Sequence, residues 1–312
     1  MKNNMKRIGY IGFGKMGLNQ ALRLKEQGIE IVGFNRSVEG KVKAITAGID
    51  AKNSIKEMCE ALEVQPQGSK EVEPRIVWIM VSHQGVDEVL NELYSYLNKG
   101  DIIIDGGNSF YKESMRRALE AEQKGFEFLD AGVSGGPNGA RNGACIMVGG
   151  KKEIYDLCED IFKLASAPNA YKYFGISGAG HFVKMVHNGI EYGMMQAIGE
   201  GFEVLKRSEF NLNLKEVSEL YQNRSVVESR LVGWLHNGFE KFGEELVGIS
   251  GEVSHSGECE WTVNTAKELN VPVKIIEDSL EFRKRSAGNP SFTGKVLSTM
   301  RTMFGGHEVK EK

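Results

Sequence analysis

The sequence predicts an N-terminal α/β domain with a doubly wound, mainly parallel sheet, followed by an all-α domain. Three observations carry that prediction. A turn of the form Gly-x-Gly-x-x-Gly follows the first apolar strand. Short apolar strands and amphipathic helices then alternate, the pattern of a parallel sheet with helical crossovers. After Gly175-Ile-Ser-Gly-Ala-Gly180 the apolar spacing turns helical and stays so. A chain of 312 residues is long enough for two separate cores, and the expected domains are residues 1–176 and 177–312.

Ile8-Gly-Tyr-Ile11 is the first strand, Gly12-Phe-Gly14-Lys-Met-Gly17 the turn, and Leu18 to Gln27 the helix, closed by Gly28. This order, typical of a Rossmann-type domain, sets a pyrophosphate on a helix N-terminus where bare glycine amides approach it. Alone the fingerprint is weak, but a second strand, Glu30 to Phe34, follows after a helix of the right length. Where a ribose-diol site would carry Asp or Glu, this chain has Asn35-Arg36-Ser37. An arginine there suits a 2'-phosphate, which favours NADP over NAD, although it can also stack on adenine without discriminating; the plain alternative is a surface turn.

Further strands are expected at Arg75 to Val81, Asp101 to Asp105 and Gly125 to Ala131, with helices at Gly85 to Leu97 and Lys112 to Lys124. Strands Ala144 to Val148 and Tyr171 to Phe174, flanking a helix from Lys152 to Ala165, complete the sheet. The polar stretch Glu63 to Pro74 is a surface excursion. Two strand ends carry small polar groups, Asp105-Gly-Gly-Asn108-Ser109 and Gly132-Val-Ser134-Gly135-Gly136-Pro-Asn-Gly-Ala-Arg141. Such loops can grip a hydroxylated or carboxylated substrate, and as isolated turns they would be structural.

The helical half begins with a run to about Arg207, and later helices are expected at Leu214 to Gln222, Val226 to Phe239, Glu258 to Leu269, Val273 to Lys284 and Phe292 to Met303. Within the first run Lys184, His187, Asn188 and Glu191 fall inside an arc of roughly 100° on one helix face. An amine, an imidazole, an amide and a carboxylate therefore converge. A helix that only packed would place apolar residues there, since burying Lys and Glu without purpose costs several kcal/mol; the competing reading is a solvated polar stripe.

Net charge is −3, from 39 basic and 42 acidic residues spread along the chain, so nothing points to nucleic acid and a small-molecule partner is expected. Cys59, Cys145, Cys158 and Cys259 show no paired spacing, which fits unpaired thiols in a reducing compartment, the cytoplasm. The apolar run after Met1 to Arg7 is broken by glycines and too short for a signal peptide. No stretch approaches the roughly 20 apolar residues of a membrane span. His255, Glu258 and Cys259 lack the further ligands of a metal site, so no metal is expected.

Along nearly its whole length the chain resembles the decarboxylating 6-phosphogluconate dehydrogenases. The resemblance rests on Gly12-x-Gly14-x-x-Gly17, Asn35-Arg36-Ser37, Asp105-Gly-Gly-Asn108-Ser109, Gly132-Val-Ser134-Gly135-Gly136 and, most specifically, Lys184-Met-Val-His187-Asn188-Gly-Ile-Glu191-Tyr192. It implies that Lys184 is the general base on the 3-hydroxyl and Glu191 the acid that protonates the enediol after CO2 leaves. Gly12, Gly14, Met16, Gly17, Asn35, Arg36, Ser37, Val81 and Asn108 would hold NADP or NAD. Asn108, Ser134, Gly135, Gly136, His187 and Asn188 would hold the carboxylate and hydroxyls. Tyr192, Arg283, Arg301 and His307 would take the phosphate, the last two by reaching a neighbouring subunit's site, which implies a homodimer or homotetramer.

One loop departs from the family pattern. Where longer members place a lysine and a threonine on the phosphate, this chain reads Ser256-Gly-Glu258-Cys-Glu260, which puts two carboxylates near that position. The chain looks like the short form of the family, which includes members that prefer NAD. The competing enzyme is a β-hydroxyacid dehydrogenase of the 3-hydroxyisobutyrate type, acting on a small unphosphorylated acid. A dinucleotide-sensing module without turnover would have to explain why Lys184 and Glu191 are both present.

Overall fold

The computed structural model describes residues 6–62, 73–255 and 257–305. Most of the stretch expected as a surface excursion, together with Ser256 and His307, lies outside the described residues. By compactness the chain divides into two units, Met1–Lys184 and Met185–Lys312, with the division inside a helix.

The first unit is the expected α/β domain. Its elements run β1 (Arg7–Ile11), α1 (Lys15–Glu26), β2 (Glu30–Phe34), α2 (Val38–Thr46), β3 (Asp50–Lys52), α3 (Ile55–Leu62), β4 (Ile76–Ile79), α4 (Val86–Leu93), β5 (Ile102–Asp105), α5 (Tyr111–Gln123), β6 (Glu127–Ser134), α6 (Gly136–Asn142), β7 (Ala144–Gly150), α7 (Lys152–Ala165) and β8 (Ser166–Tyr173). They form one sheet in the order β3-β2-β1-β4-β5-β6-β7-β8, parallel except where β7 pairs antiparallel with β6. β4 and β5 are buried at every residue, as continuous apolar strands covered on both faces must be. One core layer gathers Ile8, Tyr10, Trp78, Ile104 and Phe162, and the other Ile11, Val32, Val77, Ile79 and Leu90. The strand order reverses between β1 and β4, the switch point at whose carboxyl end α/β sheets bind ligands.

Four elements went unpredicted: α2, β3, α3 and α6. In α2 the buried residues are Gly40 and Ala44, while Val38, Val42 and Ile45 face outward, so its bulky residues mark the wrong face. β3 has only three residues. α6 reads Gly-Pro-Asn-Gly-Ala-Arg-Asn, loop chemistry by composition, with its proline in the first turn where the missing N–H does no harm. The helix expected from Gly85 instead opens with a 3-10 turn at His83–Gly85 and closes at Leu93.

The second unit is helical, as expected. α8 (Ala179–Arg207) spans 29 residues and crosses from one unit to the other. It is followed by α9 (Leu214–Tyr221), α10 (Arg230–Phe242), α11 (Glu258–Glu268), α12 (Lys274–Ser286) and α13 (Phe292–Gly305). Met195, Phe202, Leu235, Phe239, Leu297 and Met300 form the main core, and Tyr192, Cys259, Val263 and Leu280 a smaller one. α10 starts later than predicted because Val226 and Val227 are exposed and Ser229 supplies the cap, its Oγ accepting from Val232 N. Among the described residues no helix is long and apolar enough to cross a membrane.

Candidate active site

Each glycine of the first turn has a separate steric reason. Gly12 holds φ +104°, and a Cβ there would lie 2.4 Å from Met80 O. At Gly17 a Cβ would lie 2.0 Å from Gly12 O, so only glycine lets α1 start this close to β1. A Cβ at Gly14 would meet nothing within 4 Å, and this residue caps α1 with no side-chain hydrogen bond and no acid in the first turn. The amides at the positive end of α1 are thus left to an external anion, and the loop fits a dinucleotide pyrophosphate. Met16 and Val81 flank the loop half-buried.

The Asn35-Arg36-Ser37 trio divides its work. Asn35 Oδ1 accepts from Phe13 N at 2.7 Å, while Asn35 Nδ2 donates to Ser37 O and Ser37 Oγ at 3.0 and 2.9 Å. Ser37 Oγ caps α2 by accepting from Gly40 N. Two of the three side chains are therefore committed to the turn and the cap. Arg36 projects outward, 85% exposed, with Glu88 Oε2 3.4 Å from its Nη1. Glu88, on the first turn of α4, carried no sequence signal of a role.

The loop after β5 is braced from below. Asp105 is fully buried, accepting from Gly107 N at 3.0 Å and from Ser109 Oγ at 2.9 Å. Arg117 of α5 donates to Ser109 Oγ at 2.9 Å and to Asp87 Oδ1 at 2.8 Å, and the pairing with Arg117 holds Asp87 below the usual carboxylate range. Ser109 is thus a brace, whereas Asn108 is half-buried. At the end of β6, Ser134 is half-buried, and the following Gly135 and Gly136 take φ +120° and +64°, open only to glycine at no strain.

α8 is seated on the sheet through glycines. A Cβ on Gly132 would lie 2.4 Å from Lys184 Cβ, one on Gly180 2.5 Å from Met147 O, and one on Gly149 2.6 Å from Asp130 Oδ1. Asp130, fully buried, caps the helix with both oxygens, accepting from Gly178 N at 2.6 Å and His181 N at 2.8 Å. Burial pushes its carboxyl upward, and His181 and the two amides oppose that shift. His181 Nδ1 also meets Ser114 Oγ at 2.6 Å, which makes His181 part of the seat. Lys184 emerges about one and a half turns into this clamped segment, 9% exposed.

Farther along α8, His187 Nδ1 stands 3.1 Å from Asn188 Oδ1 and 3.9 Å from Glu191 Oε2, and Asn188 Nδ2 donates to Glu258 Oε2 at 2.8 Å. Tyr192 turns inward beneath Arg283, whose guanidinium carbon lies 3.3 Å from the ring centroid. Arg283 is 2% exposed, reaches Met195 Sδ at 3.4 Å, and leaves Nε without a partner; Tyr192 OH is also buried and unpartnered. Burial depresses Arg283 to about 10, and it lowers Arg301 as well. Both arginines line a cavity of about 390 Å³ with Ser254, His255, Lys284 and Ser298. A buried guanidinium without an anion is a group awaiting one.

Arg301 lines this cavity beside Arg283 and donates to Ser254 Oγ at 2.6 Å. The two loop carboxylates also separate: Glu260 faces Lys284 Nζ at 3.3 Å, while Glu258 holds Asn188.

A doubly wound sheet with an open glycine turn, joined to a helical unit whose open cavity is lined by a buried arginine, defines a nicotinamide-dinucleotide-dependent dehydrogenase. Residues 7–177 match the NAD-binding domain of 6-phosphogluconate dehydrogenase and residues 180–297 its C-terminal domain. The chain belongs to the 6-phosphogluconate dehydrogenase family. It is 43% identical over 308 residues to YqeC of Bacillus subtilis, whose 6-phosphogluconate dehydrogenase designation is provisional, spanning 98% of this chain and 100% of that one. It is 36% identical over 307 residues to the NAD(+)-dependent, decarboxylating 6-phosphogluconate dehydrogenase of Haloferax volcanii, spanning 98% and 99%. The Plasmodium falciparum 6-phosphogluconate dehydrogenase superposes with a TM-score of 0.78 at 29% identity over 90% of this chain, which spans 62% of that longer one.

Proposed function

We propose that this chain oxidatively decarboxylates 6-phospho-D-gluconate to D-ribulose 5-phosphate and CO2 while reducing NADP, with NAD also accepted. The observation that carries the reading is Arg283, buried and without an anion beside Arg301 in one cavity. A phosphate on the substrate supplies the missing charge. A small unphosphorylated acid would leave both guanidinium charges without an anion, which argues against the 3-hydroxyisobutyrate type.

Lys184 takes the proton of the 3-hydroxyl, and the bound dinucleotide supplies the hydride acceptor. The resulting 3-keto acid loses CO2 while protonated Lys184 polarises the carbonyl, and Glu191 protonates C1 of the enediol. Seven residues of helix, about 10 Å of rise, separate base from acid. Asn108, Ser134, Gly135, Gly136, His187 and Asn188 bind the carboxylate and hydroxyls, and Tyr192, Arg283 and Arg301 the phosphate; His307 lies outside the described residues. Gly12, Gly14, Met16, Gly17, Val81 and Asn108 surround the dinucleotide, Arg36 offers charge to a 2'-phosphate, and Asn35 and Ser37 hold the turn that presents it. Ile190 and Met194 on α8 and Ile275 on α12, apolar and exposed, support a homodimer or homotetramer. Thiols at Cys59, Cys145, Cys158 and Cys259, none of them in a disulfide, fit the cytoplasm.

The test is absorbance at the reduced-nicotinamide band with 6-phosphogluconate, gluconate and 3-hydroxyisobutyrate, each with NADP and NAD, with CO2 trapped. Reduction with 6-phosphogluconate alone and one CO2 per turnover is expected. Activity confined to the unphosphorylated acids would overturn the reading.

A further inference from the structure

We infer that Glu258 is a positioning residue that fixes the amide of Asn188 and, through it, the tautomer of His187. The inference rests on the proposed function for what His187 does, and on the geometry alone for the tautomer. A carboxylate has only acceptor oxygens, so the Asn188 atom facing Glu258 Oε2 at 2.8 Å must be the amide nitrogen. That turns Asn188 Oδ1 to the other side, where it stands 3.1 Å from His187 Nδ1. A carbonyl oxygen also only accepts, so His187 Nδ1 must carry the hydrogen. In the neutral imidazole the ring's Nε2 then keeps its lone pair, and an acceptor is what a substrate hydroxyl requires of it.

The chain of contacts is built rather than incidental. Thr262, one turn after Glu258 on α11, donates to Met185 O on α8 at 2.8 Å. A Cβ at Gly189 would lie 2.7 Å from Thr262 Cγ2, so a glycine on α8 admits α11 at this distance. The first turn of α11 is thereby held against the turn of α8 that carries Asn188. Glu260 is engaged elsewhere, with Lys284, and cannot substitute. The departure of this loop from the family pattern thus places an acceptor on Asn188.

The test uses the full chain, saturated with NADP and labelled with 15N-histidine, and reads each ring's tautomer from long-range 1H–15N correlations. Six histidines keep the spectrum tractable, and His187→Gln identifies the signal. The expected result is the Nδ1–H form for His187 in the wild type and in Glu258→Gln, which keeps an acceptor, and a return toward the Nε2–H form that free imidazole favours in Glu258→Ala. Glu258→Ala should also lose roughly tenfold to a hundredfold in kcat with the dinucleotide Kd unchanged, and Glu258→Gln should recover most of that loss. An Nε2–H His187 in the wild type, a tautomer indifferent to Glu258→Ala, or a Gln variant as impaired as the Ala variant would each overturn the inference. Because the spectrum needs no turnover, absence of activity on 6-phosphogluconate would count against the proposed function and leave the tautomer result to decide this one.

Discussion

In the N-terminal unit the candidate ligand groups are mainly backbone amides, whereas in the helical unit they are side chains drawn from α8, α11, α12 and α13. Gly12, Gly14 and Gly17 act by what they lack: no Cβ to strike Met80 O or Gly12 O, none to cover the open amides at the start of α1. Arg283, Tyr192, Asn188 and Glu258 act by what they carry, and each is oriented by a residue distant in sequence. A site made of backbone tolerates change around it so long as the glycines stay. A site made of side chains fails one group at a time, and that difference is open to measurement.

Lys184 joins the two kinds of site, a side chain whose place is set by the Gly132, Gly149 and Gly180 contacts and the Asp130 cap. Lys184→Met keeps the length of the side chain and removes the base. Turnover should fall by roughly 10² to 10⁴ or more, while NADP titrated by fluorescence should bind as before. Turnover retained in the variant would take the base role away from Lys184; loss of cofactor binding would mean that the glycine seat depends on the side chain it carries.

The same contrast explains what was legible in the sequence. The glycine turn and the Lys184 to Glu191 face are local patterns, with a fixed spacing along one strand, one turn or one helix, and so both could be read directly. Glu258 on Asn188 and Arg283 on Tyr192 span 70 and 91 positions, and no periodicity encodes them. Asp130 was read as strand, although its carboxylate closes a helix that begins far along the chain. α2 was missed for the opposite reason: a local pattern was present and pointed the wrong way, with Val38, Val42 and Ile45 in solvent.

Arg283→Met tests whether the side-chain site is built at the expense of stability. Arg283 is depressed to about 10 by burial, so at neutral pH it is charged in folded and unfolded chains alike, and its desolvation counts against folding. Relief comes only as pH rises through that value, where the folded chain releases the proton before the unfolded one does. Methionine fills similar volume without the charge, so Tm at pH 7 should rise. The KM for 6-phosphogluconate should rise about a hundredfold, and added inorganic phosphate should no longer raise Tm. A destabilised variant with normal KM would make Arg283 a core residue and remove the observation on which the function rests.

The smallest effects belong to the exposed pair at the mouth of the backbone-built site. Arg36 and Glu88 lie 3.4 Å apart with side chains 85% and 72% exposed, and ion pairs so open to water contribute about 0–1 kcal/mol. Glu88 therefore competes only weakly with a 2'-phosphate for the guanidinium. Glu88→Gln should tighten NADP by less than about fivefold and leave NAD unchanged. Arg36→Ala should weaken NADP by about tenfold, again without moving NAD, because NAD has no phosphate at that position. Paired titrations decide whether the arginine reads the phosphate or stacks on the adenine: a loss shared equally by both dinucleotides would assign Arg36 to stacking. In that case the glycine turn would bind either cofactor through its amides alone, and the preference for NADP would have no basis in this trio.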